Sequence, residues 1–143
     1  MRLLIVVLGV LALTGCGTDT QNPTAAAEGP PSLEQARDGN FTLYVSNQSF
    51  DRSNVDIRVL IDGRPALAGD FAVGNQHNWV QYRFALSDGR HSLRAESVHG
   101  DAVFEHGFTV KGKRWAVVDY WCCGEATEPK FTFLVRSEPL AFA

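Results

Sequence analysis

From Phe41 onward, apolar and polar residues alternate in short runs. A period of two belongs to strands with one face turned to a core and the other to water. Val55, Ile57, Val59 and Ile61 fall on one side of such a run, and Asp56, Arg58 and Asp62 on the other. Val80, Tyr82, Phe84 and Leu86 oppose Gln81 and Arg83 in the same way, and Leu93 and Ala95 oppose Arg94 and Glu96. The alternation predicts strands over 42–46, 55–62, 66–71, 78–86, 90–98, 102–110, 114–121 and 130–136. No stretch of this region carries the apolar spacing of a helix. Asp62-Gly63, Asp88-Gly89, His99-Gly100 and Lys111-Gly112-Lys113 each separate two runs, and glycine supplies the positive φ that tight hairpins need. These turns predict an antiparallel meander from Asn78 to Trp121. One wet and one dry face per strand predicts two packed antiparallel sheets, an all-β sandwich of about eight strands.

The N-terminal residues follow other patterns. Arg2 precedes an apolar run from Leu3 to Leu13, followed by Thr14, Gly15 and Cys16. The run is about half the roughly 20 residues a membrane-spanning helix needs, and its layout is that of a secretory signal peptide. Leu13-Thr14-Gly15-Cys16 resembles the lipobox of bacterial lipoproteins. The resemblance implies cleavage before Cys16, lipid on Cys16, and a mature chain anchored in the bacterial cell envelope. In a cell with two membranes it implies the outer one, because Gly17 stands where an aspartate would signal inner-membrane retention. Several acyl chains hold a domain on a bilayer where one does not. Residues 17–38 are rich in Thr, Ala, Pro, Gly and Gln without periodicity, which predicts a flexible linker reaching roughly 25 to 30 Å. Ser32 and Gln35 are placed to cap one short helical turn over 33–37. The chain thus divides into a signal peptide (1–15), a lipidated linker (16–38) and a sandwich domain (39–143).

The runs VDIRVLIDG, LSDGRHSLRAES and DAVFEHGFTV resemble bacterial immunoglobulin-like and fibronectin-like modules, whose late strands often read L-x-x-G-x-H-x-L-x-A. Leu86, Gly89, His91, Leu93 and Ala95 fill that pattern. The resemblance spans 55–110 and implies an immunoglobulin-like sandwich; it leaves function open, since such folds host many roles. RWAVVDYW and KFTFLV extend beyond the usual module and predict an additional hairpin near the C-terminus.

Charge and chemistry narrow the function classes. The 13 basic and 16 acidic residues are scattered, with no basic run beyond Lys111, Lys113 and Arg114, so no concentrated face for nucleic acid is expected. Besides Cys16, the cysteines are the neighbours Cys122 and Cys123. In an oxidising compartment such a pair closes a vicinal disulfide, links to another chain, or stays reduced; paired thiolates also suit Cu(I) or Zn. His77, His91, His99 and His106 lack the spacing of a local metal site. His106 alternates with Phe104, Phe108 and Val110, which predicts a hydrogen-bonded core or rim residue. There is no G-x-S-x-G elbow, and no catalytic residue, metal or cofactor is assigned.

The aromatic residues provide the binding candidates. Trp79 falls with Gln81 and Arg83 on a polar face, and Tyr44 and Tyr120 fall opposite expected inward positions. Such rings stack on sugars or anchor protein interfaces. Trp115, Val117 and Trp121 oppose Ala116, Val118 and Tyr120, so this strand is apolar on both sides and is expected to be central. The expected function is a membrane-anchored binding or structural module of the envelope, not an enzyme, with an envelope protein or glycan as partner. The rival readings are a carbohydrate-binding module using Trp79, Tyr44 and Tyr120, and a metal or redox protein using Cys122 and Cys123.

Overall fold

Alternation predicts about eight strands, and the described residues form eight in the expected order. They are β1 (Phe41–Asn47), β2 (Asn54–Ile61), β3 (Arg64–Ala72), β4 (Val80–Phe84), β5 (Gly89–Ser97), β6 (Ala102–Val110), β7 (Arg114–Trp121) and β8 (Lys130–Arg136). The computed structural model describes residues 30–74, 78–124 and 128–142. The expected signal peptide, Cys16, most of the expected linker and His77 lie outside them.

The strands form two four-stranded sheets, ordered β4-β1-β7-β8 and β3-β2-β5-β6. Pairing is antiparallel except between β1 and β7, which run parallel. The protein is an all-β sandwich. The predicted meander is not formed, because β4 pairs with β1, β5 with β2 and β6, and β7 with β1 and β8. The turn residues mark where a strand ends; the strand it rejoins is set by which apolar faces must meet across the sandwich. The C-terminal hairpin of β7 and β8 is likewise part of the first sheet, with β7 at its centre.

Inward positions build one core. Val55, Ile57, Val59 and Ile61 on β2, Leu93 and Ala95 on β5, and Phe41, Leu43 and Val45 on β1 are all at most 2% exposed. Burying such a side chain contributes about 1.5–3 kcal/mol each, which is what holds two otherwise separate sheets together. The parallel register of β1 on β7 sets Val45 beside Val118 and Ser46 beside Asp119. That register settles which face of β7 is dry: Ala116, Val118 and Tyr120 point in, and Asp119 is left on the outer face.

The predicted helical turn over 33–37 is replaced by strand-like contact. Gln35 makes a bridge to Phe84, Leu33 N–H donates to the Pro65 carbonyl, and Ala36 N–H donates to the Arg83 carbonyl. Gly39 lies so close to β4 that a Cβ there would fall 2.3 Å from the Phe84 carbonyl oxygen. Residues 33–39 are therefore docked along the β3 and β4 edges, not a free tether.

Candidate binding face

The outer face of the β4-β1-β7-β8 sheet carries the aromatic candidates. On β1, inward Leu43 and Val45 leave Tyr44 and Ser46 facing outward. Trp79 immediately precedes β4 and reaches over this face. Its Nε1 donates to Asp119 Oδ1 at 3.1 Å. Ser46 Oγ donates to the same oxygen at 2.6 Å and in turn accepts from Gln48 Nε2 at 2.9 Å. Burial pushes the Asp119 carboxyl above its ordinary range, and the two donated hydrogen bonds only partly offset that. The result is an indole held by a part-buried carboxyl, a rigid mounting for a flat ring.

The chain itself supplies a third ring. Phe142 stacks on Trp79 with centroids 4.2 Å apart and planes at 22°. It meets Tyr44 edge-on, with centroids 4.9 Å apart and planes at 70°. Among the described residues, no hydrogen bond ties 137–142 to the sheet beneath. Phe142 is still 39% exposed, so this segment is a strap held by ring contact.

Tyr120 does not belong to the face. It is 0% exposed, its hydroxyl donates to the Gly100 carbonyl at 2.8 Å, and its ring meets Phe131 edge-on. With both faces of β7 apolar, parity alone pointed it the wrong way; the buried hydroxyl is satisfied by a backbone carbonyl of the 98–101 turn. Phe142 was the ring that sequence reasoning missed. It follows the last strand and has no periodic neighbours to give it a face.

The other candidates occupy separate places. Cys122 and Cys123 are joined as a vicinal disulfide at the end of β7, with Cys122 1% exposed and Cys123 at φ 66°. The Phe50 N–H donates to the Cys122 carbonyl, and the Phe50 ring lies against Gly124. His106 lies at the rim of β6, its ring 5.9 Å from Phe104 and 6.0 Å from Phe133. It borders an open cleft of about 550 Å³ between β6 and β8, lined also by Phe108, Arg114 and Arg136. His99 is exposed and lies 3.4 Å from Asp56. Among the described residues, no three of His, Cys, Asp and Glu converge on one point.

His91, which fills the late-strand pattern, has long-range partners that the pattern did not specify. Its side chain is 6% exposed, with Nδ1 2.7 Å from Asp62 Oδ2 and Nε2 2.8 Å from the Ser87 carbonyl. Both ring nitrogens face acceptors, an arrangement that favours the doubly protonated ring. Burial opposes that charge, but the Asp62 carboxylate and the Ser87 carbonyl outweigh it and raise the pKa. The chain matches no protein-family model and no curated protein.

Proposed function

We propose that this chain is a membrane-anchored lipoprotein of the bacterial envelope whose sandwich domain is a binding module, with Tyr44 and Trp79 on its contact face. The observation that carries the reading is the mounting of Trp79. A wide apolar ring stands on the water-facing side of a sheet, fixed by Asp119, with Tyr44 beside the Phe142 ring that stacks on it. An indole needed only for the fold would be expected inside, where its area contributes most. The anchoring half of the proposal rests on the lipobox at Leu13-Thr14-Gly15-Cys16.

Carbohydrate is the ligand class this face suits best. A sugar ring presents a flat C–H face that stacks on an indole much as Phe142 does, and Tyr44 stands beside it as a second ring. The test is a titration of the protein with soluble cell-wall glycan fragments and plain oligosaccharides, followed by tryptophan fluorescence, for the wild type and Trp79→Ala. Saturable binding that Trp79→Ala abolishes supports the reading. Binding of the same affinity in both proteins removes the face from the proposal. The anchor is tested separately, since Cys16→Ser is expected to shift the protein out of the membrane fraction and to end incorporation of labelled fatty acid.

A further inference from the structure

Two sheets of four strands leave four edges, and three of them are protected. β3 contains Pro65 and Asp70, and its pairing with β2 is broken by a register shift at Val59/Leu60. β4 has only five residues and is bridged by Gln35. β8 carries Lys130 and Arg136 at its two ends. Prolines, bulges, short strands, covers and charges are the devices that keep an edge from pairing with another chain.

β6 is the longest of the four edge strands to pair in unbroken register, and its ionisable side chains are Glu105 and His106. It is nine residues long, pairs with β5 in unbroken register from Ala102 to Val110, and contains neither proline nor lysine. Its outward positions are Val103, Glu105, Gly107 and Thr109, all exposed, with Val103 at 62%. Glu105 is the single carboxylate of the strand, and Arg94 lies 3.6 Å from it. Gly107 is not at positive φ, and a Cβ there would meet only the His91 carbonyl oxygen at 3.8 Å.

We propose that β6 pairs antiparallel with β6 of a second copy of this chain, joining the two β3-β2-β5-β6 sheets into one. A two-fold axis normal to the sheet keeps each residue on its own face. With the axis between the two Phe108 residues, Gly107 stands opposite Thr109 of the second copy, and Glu105 stands opposite Lys111, the first residue beyond β6. Symmetry makes the Glu105 to Lys111 contact twice. It also extends an existing row of alternating charge, because Arg94 already flanks Glu105 and Gly112, next to Lys111, binds Asp88 through its N–H. Placing the axis at Glu105 instead would set the two Glu105 carboxylates against each other, which disfavours that register.

The test is sedimentation of the purified full chain in density-matched detergent over a wide concentration range, for the wild type, Glu105→Lys, Lys111→Glu and the double variant. Both positions are exposed, and circular dichroism checks that each variant keeps its strand content. The wild type is expected to dimerise, each single reversal to weaken the dimer about tenfold, and the double reversal to restore it. A wild type that stays monomeric at every concentration overturns the proposal. So does a dimer indifferent to both single reversals, or one that the double variant fails to restore.

Discussion

At the scale of single residues, the ring stack and the buried hydroxyl make opposite demands. Trp79 gains a hydrogen bond from Asp119 and a stacking partner in Phe142, so Trp79→Ala is expected to cost about 1–2 kcal/mol in urea unfolding. Phe142→Ala removes only a half-exposed ring and is expected to cost less than about 1 kcal/mol, while increasing acrylamide quenching of tryptophan fluorescence. That increase should vanish in a Trp79→Phe background; if it persists, the strap covers a different indole. Tyr120 is the contrary case. Tyr120→Phe leaves the Gly100 carbonyl without its donor in a buried place, which costs about 1–3 kcal/mol. Gly100→Ala is expected to be at least as damaging, because a Cβ there would sit 2.4 Å from Ser97 Oγ, 2.7 Å from Val55 Cγ2 and 2.8 Å from Tyr120 Cε2. Equal unfolding midpoints for wild type and Gly100→Ala would show that the 98–101 turn yields freely.

At the scale of elements, the β2–β3 hairpin is tied to β5 by a titrating pair. Asp62 stands at φ 52° in the turn, its Oδ1 accepts from Ser92 N–H, and its Oδ2 faces His91. Burial alone would raise the Asp62 pKa, but the hydrogen bonds from His91 and Ser92 prevail and lower it. For His91, raised on folding, the stabilisation is complete below its unfolded value and fades as pH climbs through the folded one. For Asp62, lowered on folding, it is complete above the unfolded carboxylate value and fades as pH drops through the folded one. Both contributions are therefore present between about pH 4 and 6.5, bounded by the two unfolded values. The melting temperature of the wild type should fall relative to that of Asp62→Asn as pH rises from about 6 to 8. Parallel melting curves across that range would mean that His91 carries no extra proton in the fold. The Asp62-Gly63 turn was legible in the sequence; its long-range grip on His91 was not, because strand alternation carries no record of which turn meets which strand.

The same limit operates at the scale of the whole molecule. Period-two alternation and glycine turns located all eight strands and the dry faces of β2 and β5, since those depend on neighbours in the chain. Sheet order, the parallel β1–β7 pair and the inward turn of Tyr120 depend on which distant faces meet, and the two-sided apolar pattern of β7 fits either direction. The candidate face was half legible for the same reason: Tyr44 and Trp79 stand out by parity, while Phe142 arrives from beyond the last strand. Composition carries no record of the contacts that residues 33–38 make with the domain. Leu33 is partly buried against the core, and the Leu33 and Ala36 N–H groups are bonded to Pro65 and Arg83. This short segment seals one open side of the sandwich, where β3 and β4 would otherwise leave edges and apolar surface in water. A chain beginning at Gly39 gives up partial burial of a leucine, the two backbone hydrogen bonds to Pro65 and Arg83, the Gln35 bridge to Phe84, and the hydrogen bonds that Arg64 and Arg83 donate to the Pro31, Ser32 and Arg37 carbonyls. Relative to one beginning at Pro30, it should lose about 2–4 kcal/mol of unfolding free energy. Leu33→Ala in the longer chain should account for roughly half of that loss. If both lengths unfold at the same denaturant concentration, the segment lies on the domain without supporting it, and the boundary at 39 expected from composition is the energetic one.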